Sequence, residues 1–116
     1  MCTRQELDMI VNSVMQSYRR VYGEDLRKVY LYGSYARGDQ QPDSDVDLAA
    51  IVRGERPALQ EALKKVWRDS ADLELEYGTI VSPTVIPEDE FEKYREALPY
   101  YRNIVKEGVE IGGGYC

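Results

Sequence analysis

The sequence predicts an α/β (α+β) chain, a small mixed β-sheet with helices packed mainly on one face. Three observations carry that expectation. Two long stretches, 7–22 and 59–77, hold apolar residues at helical spacing. Three short apolar runs, 29–32, 46–52 and 80–86, read as strands. Glycine and proline punctuate the chain between them.

The elements run helix, strand, strand, helix, strand, helix. Thr3 and Glu6 have the spacing of a capping box, a helix-start signal. Behind it Leu7, Ile10, Val11, Val14, Met15, Tyr18, Val21 and Tyr22 form one stripe, and Gly23 ends the helix. The first strand spans about Lys28 to Tyr32 and the second about Val46 to Val52. Gly54 and Pro57 break the chain, with Pro57 suited to the first position of a helix. Leu59, Ala62, Leu63, Val66, Trp67, Leu73 and Tyr77 then form the second long helix, closed by Gly78. The third strand lies within Thr79 to Ile86, where Pro83 makes it an edge or bulged strand. Pro87 to Glu90 is an acidic helix start, with Phe91, Tyr94 and Leu98 expected to face inward. Pro99 breaks or kinks this helix, Tyr100, Tyr101, Ile104 and Val105 continue it, and Gly108 stops it. Residues 110–116, with Gly112 to Gly114, read as a flexible tail.

A chain of 116 residues fits a single domain, 1–116. Apolar content of 43% and charged content of 31% are those of an ordinary globular protein. No run of eighteen apolar residues is present, so a membrane span is not expected. The N-terminus lacks an apolar signal core, and Cys2 and Cys116 sit at opposite ends rather than forming a framework. A reducing cytoplasm is the expected setting. The absence of histidine excludes imidazole acid–base chemistry and histidine metal sites. A net charge of −6 argues against direct nucleic-acid binding, which calls for a basic patch.

The most specific stretch lies between the first two strands. Gly33-Ser34 closes the run Val29 to Tyr32, and Asp45 and Asp47 open the run Val46 to Val52. Glycine lets backbone approach a phosphate closely. Ser34 adds a hydroxyl donor at a helix start, where anions are favoured. Asp45 and Asp47 are two apart, so on a strand they share a face. Two hard carboxylates on one face suit Mg²⁺, which fills its other positions with water and substrate phosphates. Arg37 offers a fork of donors to a phosphate, or a salt bridge to Asp39 or Asp43. The layout is one for a nucleoside triphosphate and its Mg²⁺.

Gly33-Ser34-Tyr35-Ala36-Arg37-Gly38, followed by Ser44-Asp45-Val46-Asp47-Leu48, resembles the minimal nucleotidyltransferases (MNT) of the DNA polymerase β-like superfamily. The resemblance implies a nucleotidyltransferase fold, Mg²⁺ on Asp45 and Asp47, and triphosphate held by Gly33, Ser34, Arg37 and Ser44. It implies transfer of a nucleoside monophosphate, AMP from ATP, to a hydroxyl acceptor. Short members of this kind are often antitoxins of a HEPN-domain toxin, and some modify a toxin tyrosine.

One departure bears on activity. Active members usually carry a third carboxylate on the next strand, and Thr79 to Ile86 contains none. Leu73 to Tyr77 alternates, so as a strand it would put Glu74 and Glu76 on one face as candidates for that role. As the end of a helix it is simply a solvated acidic turn. Without a third acid, the alternative is a degenerate domain that binds nucleotide or a protein partner. Ten tyrosines against one phenylalanine are unusual. Most suit core positions with the hydroxyl at an edge. Tyr35 either stacks on a base or packs inward, and Tyr100 and Tyr101 suit a partner surface.

Overall fold

In the computed structural model the described residues are 3–41 and 44–111. Cys2, Asp43, the Gly112 to Gly114 tail and Cys116 lie outside them. Thr3 caps α1 (Arg4–Tyr22): its hydroxyl accepts from the Glu6 N–H at 3.1 Å, and the Glu6 carboxylate accepts from the Thr3 N–H at 2.9 Å. A 3₁₀ turn leads into β1 (Leu26–Tyr32), which starts two residues earlier than expected through an irregularity between Leu26 and Lys28. A four-residue helix, α2 (Ser34–Arg37), precedes the link to β2 (Val46–Val52). The long helix α3 (Arg56–Tyr77) carries Pro57 as its second residue rather than its first. It crosses over to β3 (Val81–Pro87), followed by α4 (Glu88–Tyr94), α5 (Pro99–Glu107) and β4 (Val109–Glu110).

The sheet has the order β3-β2-β1-β4. β1 runs antiparallel to β2 and β4, while β2 and β3 are parallel, as the helical crossover between them requires. Pro83 sits on the edge strand, where a missing N–H is tolerated. The exposed indole of Trp67 donates to the Pro83 carbonyl at 2.9 Å. β4 escapes a periodicity reading because it has two residues. It places Glu110 opposite Tyr30, and Ile111 donates its N–H to the Val29 carbonyl at 2.7 Å, so residues 110 and 111, expected in a flexible tail, are paired into the sheet.

The two long helices cover one face. Val29, Leu31, Val46, Leu48, Ala50 and Val52 point into it, against Ile10, Val14, Tyr18, Leu63 and Val66. Tyr18 is fully buried and donates to the Thr84 carbonyl at 2.8 Å; Tyr22 donates to the Leu59 carbonyl at 2.8 Å. The opposite face carries Tyr30, Ala49, Ile51 and Ile86, and only part of it is covered, by Phe91, Tyr101 and Ile104 of α4 and α5. Tyr94 and Leu98, expected inside, are exposed. α4 ends at Tyr94, and Pro99 restarts the chain as a separate helix. Among the described residues no helix is long and apolar enough to cross a membrane.

Candidate active site

At the end of β1, Gly33 has φ 77° and ψ −157°, a backbone region open essentially to glycine alone. Its carbonyl accepts from the N–H groups of Ala36 and Arg37, both at 3.1 Å, which starts α2. The turn sits directly against the acid pair, since a Cβ on Gly33 would collide with Oδ2 of Asp47. The two motif halves therefore meet in space. In the sheet register Asp47 stands opposite Tyr32 on β1 and Ser82 on β3. Directly opposed strand residues share a face, so these three lie on the face carrying Ala49 and Ile51, away from α1 and α3.

Asp45 and Asp47 are both half-buried. Burial first, then the neighbouring Asp45 charge, pushes the Asp47 carboxyl from its ordinary 3.8 up to about 6, against an opposing pull from Arg37. A pair that resists carrying both charges is a natural place for a divalent cation, which removes the repulsion. The donor set fits Mg²⁺ on that ground.

The remaining candidates divide. Arg37 is half-exposed and pairs with Asp39 at 3.2 Å and Glu107 at 3.5 Å, so its guanidinium is tethered beside the turn. The Ser44 hydroxyl accepts from the Gln41 N–H at 2.7 Å and orders the link before the acids. Tyr35 is buried in the main core cluster, which favours packing over base stacking. Glu74 and Glu76 belong to the last turn of α3 and not to a strand. The Glu74 carboxylate accepts from the Val81 N–H at 2.8 Å, a cap on the start of β3. Among the described residues no group of three or more His, Cys, Asp or Glu is gathered to hold a metal. Beside Asp47 the adjacent strand offers the hydroxyl of Ser82 and, one pair further along, that of Thr84.

Sequence reasoning named Tyr100 for a partner surface but did not place Tyr32 beside the acid pair. Tyr32 donates to or accepts from Tyr100 at 2.9 Å, with the two rings edge-to-face and 6.0 Å apart. Tyr32 was detectable as the cross-strand partner of Asp47 only once the register was known.

Residues 12–111 match the family profile of the nucleotidyltransferase domain. The chain belongs to that family. This nucleotidyltransferase domain is 32% identical over 80 residues to a putative protein adenylyltransferase of Methanocaldococcus jannaschii, covering 69% of the chain and 79% of the relative. It is 30% identical over 98 residues to another from the same organism, covering 84% and 86%. Its fold matches a putative nucleotidyltransferase from Sulfolobus solfataricus with a TM-score of 0.52 at 24% identity, covering 91% of this chain and 76% of that one. It also matches a toxin–antitoxin complex with AMP-PNP, with a TM-score of 0.51 at 20% identity, covering 85% and 70%. A third match, with a TM-score of 0.50 at 18% identity and coverage of 90% and 70%, is to a tri-AMPylated Shewanella oneidensis HEPN toxin in complex with MNT antitoxin.

The raised Asp47 carboxyl makes the stability of the metal-free nucleotidyltransferase domain depend on pH. Its folded value lies above its unfolded one, so between about 4 and 6 the unfolded chain gives up this proton first. The Asp47 contribution is therefore fully favourable below about 4, is lost as pH rises to about 6, and is level above that. Denaturant melts in chelator across this window should show the slope, and Asp47→Asn should remove it. A variant with the same slope as wild type would assign the titration to another group.

Proposed function

We propose that this nucleotidyltransferase domain transfers AMP from ATP to a protein hydroxyl, with Asp45 and Asp47 holding Mg²⁺ and the Gly33-Ser34 turn receiving the triphosphate. The carrying observation is that the Asp47 carboxylate lies where a Cβ on Gly33 would be, which supports reading the turn and the acid pair as one site. Bound Mg²⁺ would neutralise phosphate charge and favour departure of pyrophosphate. The chain's own residues do the rest. Gly33 lets the backbone of the turn close against the Asp47 carboxylate, Ser34 supplies a hydroxyl donor, the Ser44 hydroxyl accepts from the Gln41 N–H just before Asp45, and Arg37 holds positive charge at the rim.

Protein adenylylation is supported by the names of the Methanocaldococcus relatives. A HEPN-type toxin as the AMPylated partner is supported by the complex of a tri-AMPylated HEPN toxin with an MNT antitoxin among the structural neighbours; tyrosine as the acceptor rests on the resemblance of the motif. With α-labelled ATP, Mg²⁺ and a HEPN-domain protein, label should appear on the partner, and chelator should prevent it. Absence of label on partner or any other acceptor under saturating Mg²⁺ and ATP would defeat the enzymatic reading.

A second reading has its own observation. Ser82, not an acid, faces Asp47 from the next strand. On this reading the domain binds Mg²⁺–nucleotide and a partner without transfer. A partner complex that forms equally well with Asp45 and Asp47 both replaced, together with no transfer by wild type, would favour it.

A further inference from the structure

The uncovered part of the acid-bearing face has a phenol built into it. Tyr32 is the cross-strand neighbour of Asp47. Its hydroxyl meets that of Tyr100 at 2.9 Å and also the Thr84 side chain, which belongs to the next residue pair along the sheet. Three hydroxyls, from Tyr32, Tyr100 and Thr84, are thus gathered one residue pair along the sheet from Asp47. They lie on the face of the sheet that carries Asp47.

The phenols near this face differ in availability. Tyr101 is buried and donates to Glu90 at 2.9 Å. Tyr30 is buried among Phe91 and Ile86. Tyr32 is half-buried, with its hydroxyl held against that of Tyr100 at 2.9 Å. Thr84 donates to the Leu48 carbonyl at 3.0 Å. Tyr100 remains, at 46% exposure, with its oxygen fixed by Tyr32 and its ring supported by Tyr101 at 5.6 Å.

We infer that Tyr100 is an internal acceptor: in the absence of a partner, the domain adenylylates its own Tyr100. This rests on the proposed transfer of AMP to a hydroxyl. The Tyr100 phenolic oxygen bonds to the α-phosphorus of ATP. The bond from that phosphorus to the β-phosphate bridge breaks, pyrophosphate leaves with the electron pair, and the phenolic proton passes to water. Tethering favours the reaction, since an acceptor held beside the site reacts as if highly concentrated. The modified Tyr100 would then lie on the same face as its own site and obstruct a second acceptor.

The test incubates the wild-type domain with Mg²⁺ and ATP alone, then measures intact mass and maps the modified peptide. The expected result is one adenylyl group per chain, on the peptide bearing Tyr100, lost in Tyr100→Phe and in Asp47→Asn. Tyr100→Phe keeps the ring contacts, and its thermal melt checks folding. Mapping of wild type locates the group independently of any variant. A parallel wild-type reaction with a HEPN-domain protein and with a synthetic tyrosine peptide reads the transfer reaction itself. Transfer to either with no group on Tyr100, or a group mapped to another residue, overturns the inference and leaves the proposed function standing. No transfer to anything overturns both.

Discussion

Asp47→Asn, and separately Asp45→Asn, should abolish nucleotidyl transfer while the fold survives. Each change removes one of two hard anionic ligands from a site where the cation carries most of the charge stabilisation. A loss of roughly 4 kcal/mol of transition-state stabilisation is about a thousandfold in rate. Binding of Mg²⁺–ATP should weaken at least tenfold, about 1.4 kcal/mol. The fold should tolerate both changes because neither carboxylate serves the core: the buried residues of β2 are Val46 and Leu48 to Val52, and the acids sit at its mouth. Loss of one charge also relieves the repulsion that, with burial, raises the Asp47 carboxyl. Near pH 7 in chelator, Asp47→Asn should therefore melt no lower than wild type. Label transfer, nucleotide titration and a chelator melt on the same preparation check the three parts. Transfer within a few fold of wild type in both variants would remove the acid pair from the reaction.

The site was readable in the sequence where its chemistry is local. Gly33-Ser34 follows β1 and Asp45-x-Asp47 opens β2, so β1–β2 pairing brings them together regardless of the rest of the chain. β2 was legible to its ends because its apolar run is interrupted only by Asp47, whereas β1 begins behind an irregularity that disguises Leu26. Leu73 to Tyr77 was ambiguous because alternation of apolar residues suits a strand. The helix wins by continuing to Gly78 with its left-handed cap, and Leu75 is left 86% exposed. Tyr94 and Leu98 obeyed helical spacing, but Pro99 redirected the chain. Spacing within one helix says nothing about two. Tyr100 was unreadable as the partner of Tyr32, which stands opposite Asp47. That relation passes through the Tyr32 register and the docking of α5, both tertiary.

Gly33→Ala should be the most damaging single-atom-group change near the site. Two costs coincide there. At φ 77° and ψ −157° a side-chain-bearing residue is strained, by about 1–3 kcal/mol. The added methyl also runs into the Asp47 carboxylate. Asp47 has Tyr32 and Ser82 opposite it on the two neighbouring strands. A double-mutant cycle separates the two costs. In an Asp47→Ala background the collision with the carboxylate is gone and only the backbone strain remains. Gly33→Ala should then destabilise less than it does in wild type, with a coupling of roughly 0.5–3 kcal/mol by urea unfolding. In the wild-type background Mg²⁺–ATP affinity should fall as well, because either the turn moves off the phosphates or Asp47 moves off the metal. Strict additivity, with nucleotide affinity unchanged in Gly33→Ala, would show that the turn and Asp47 do not act as one site.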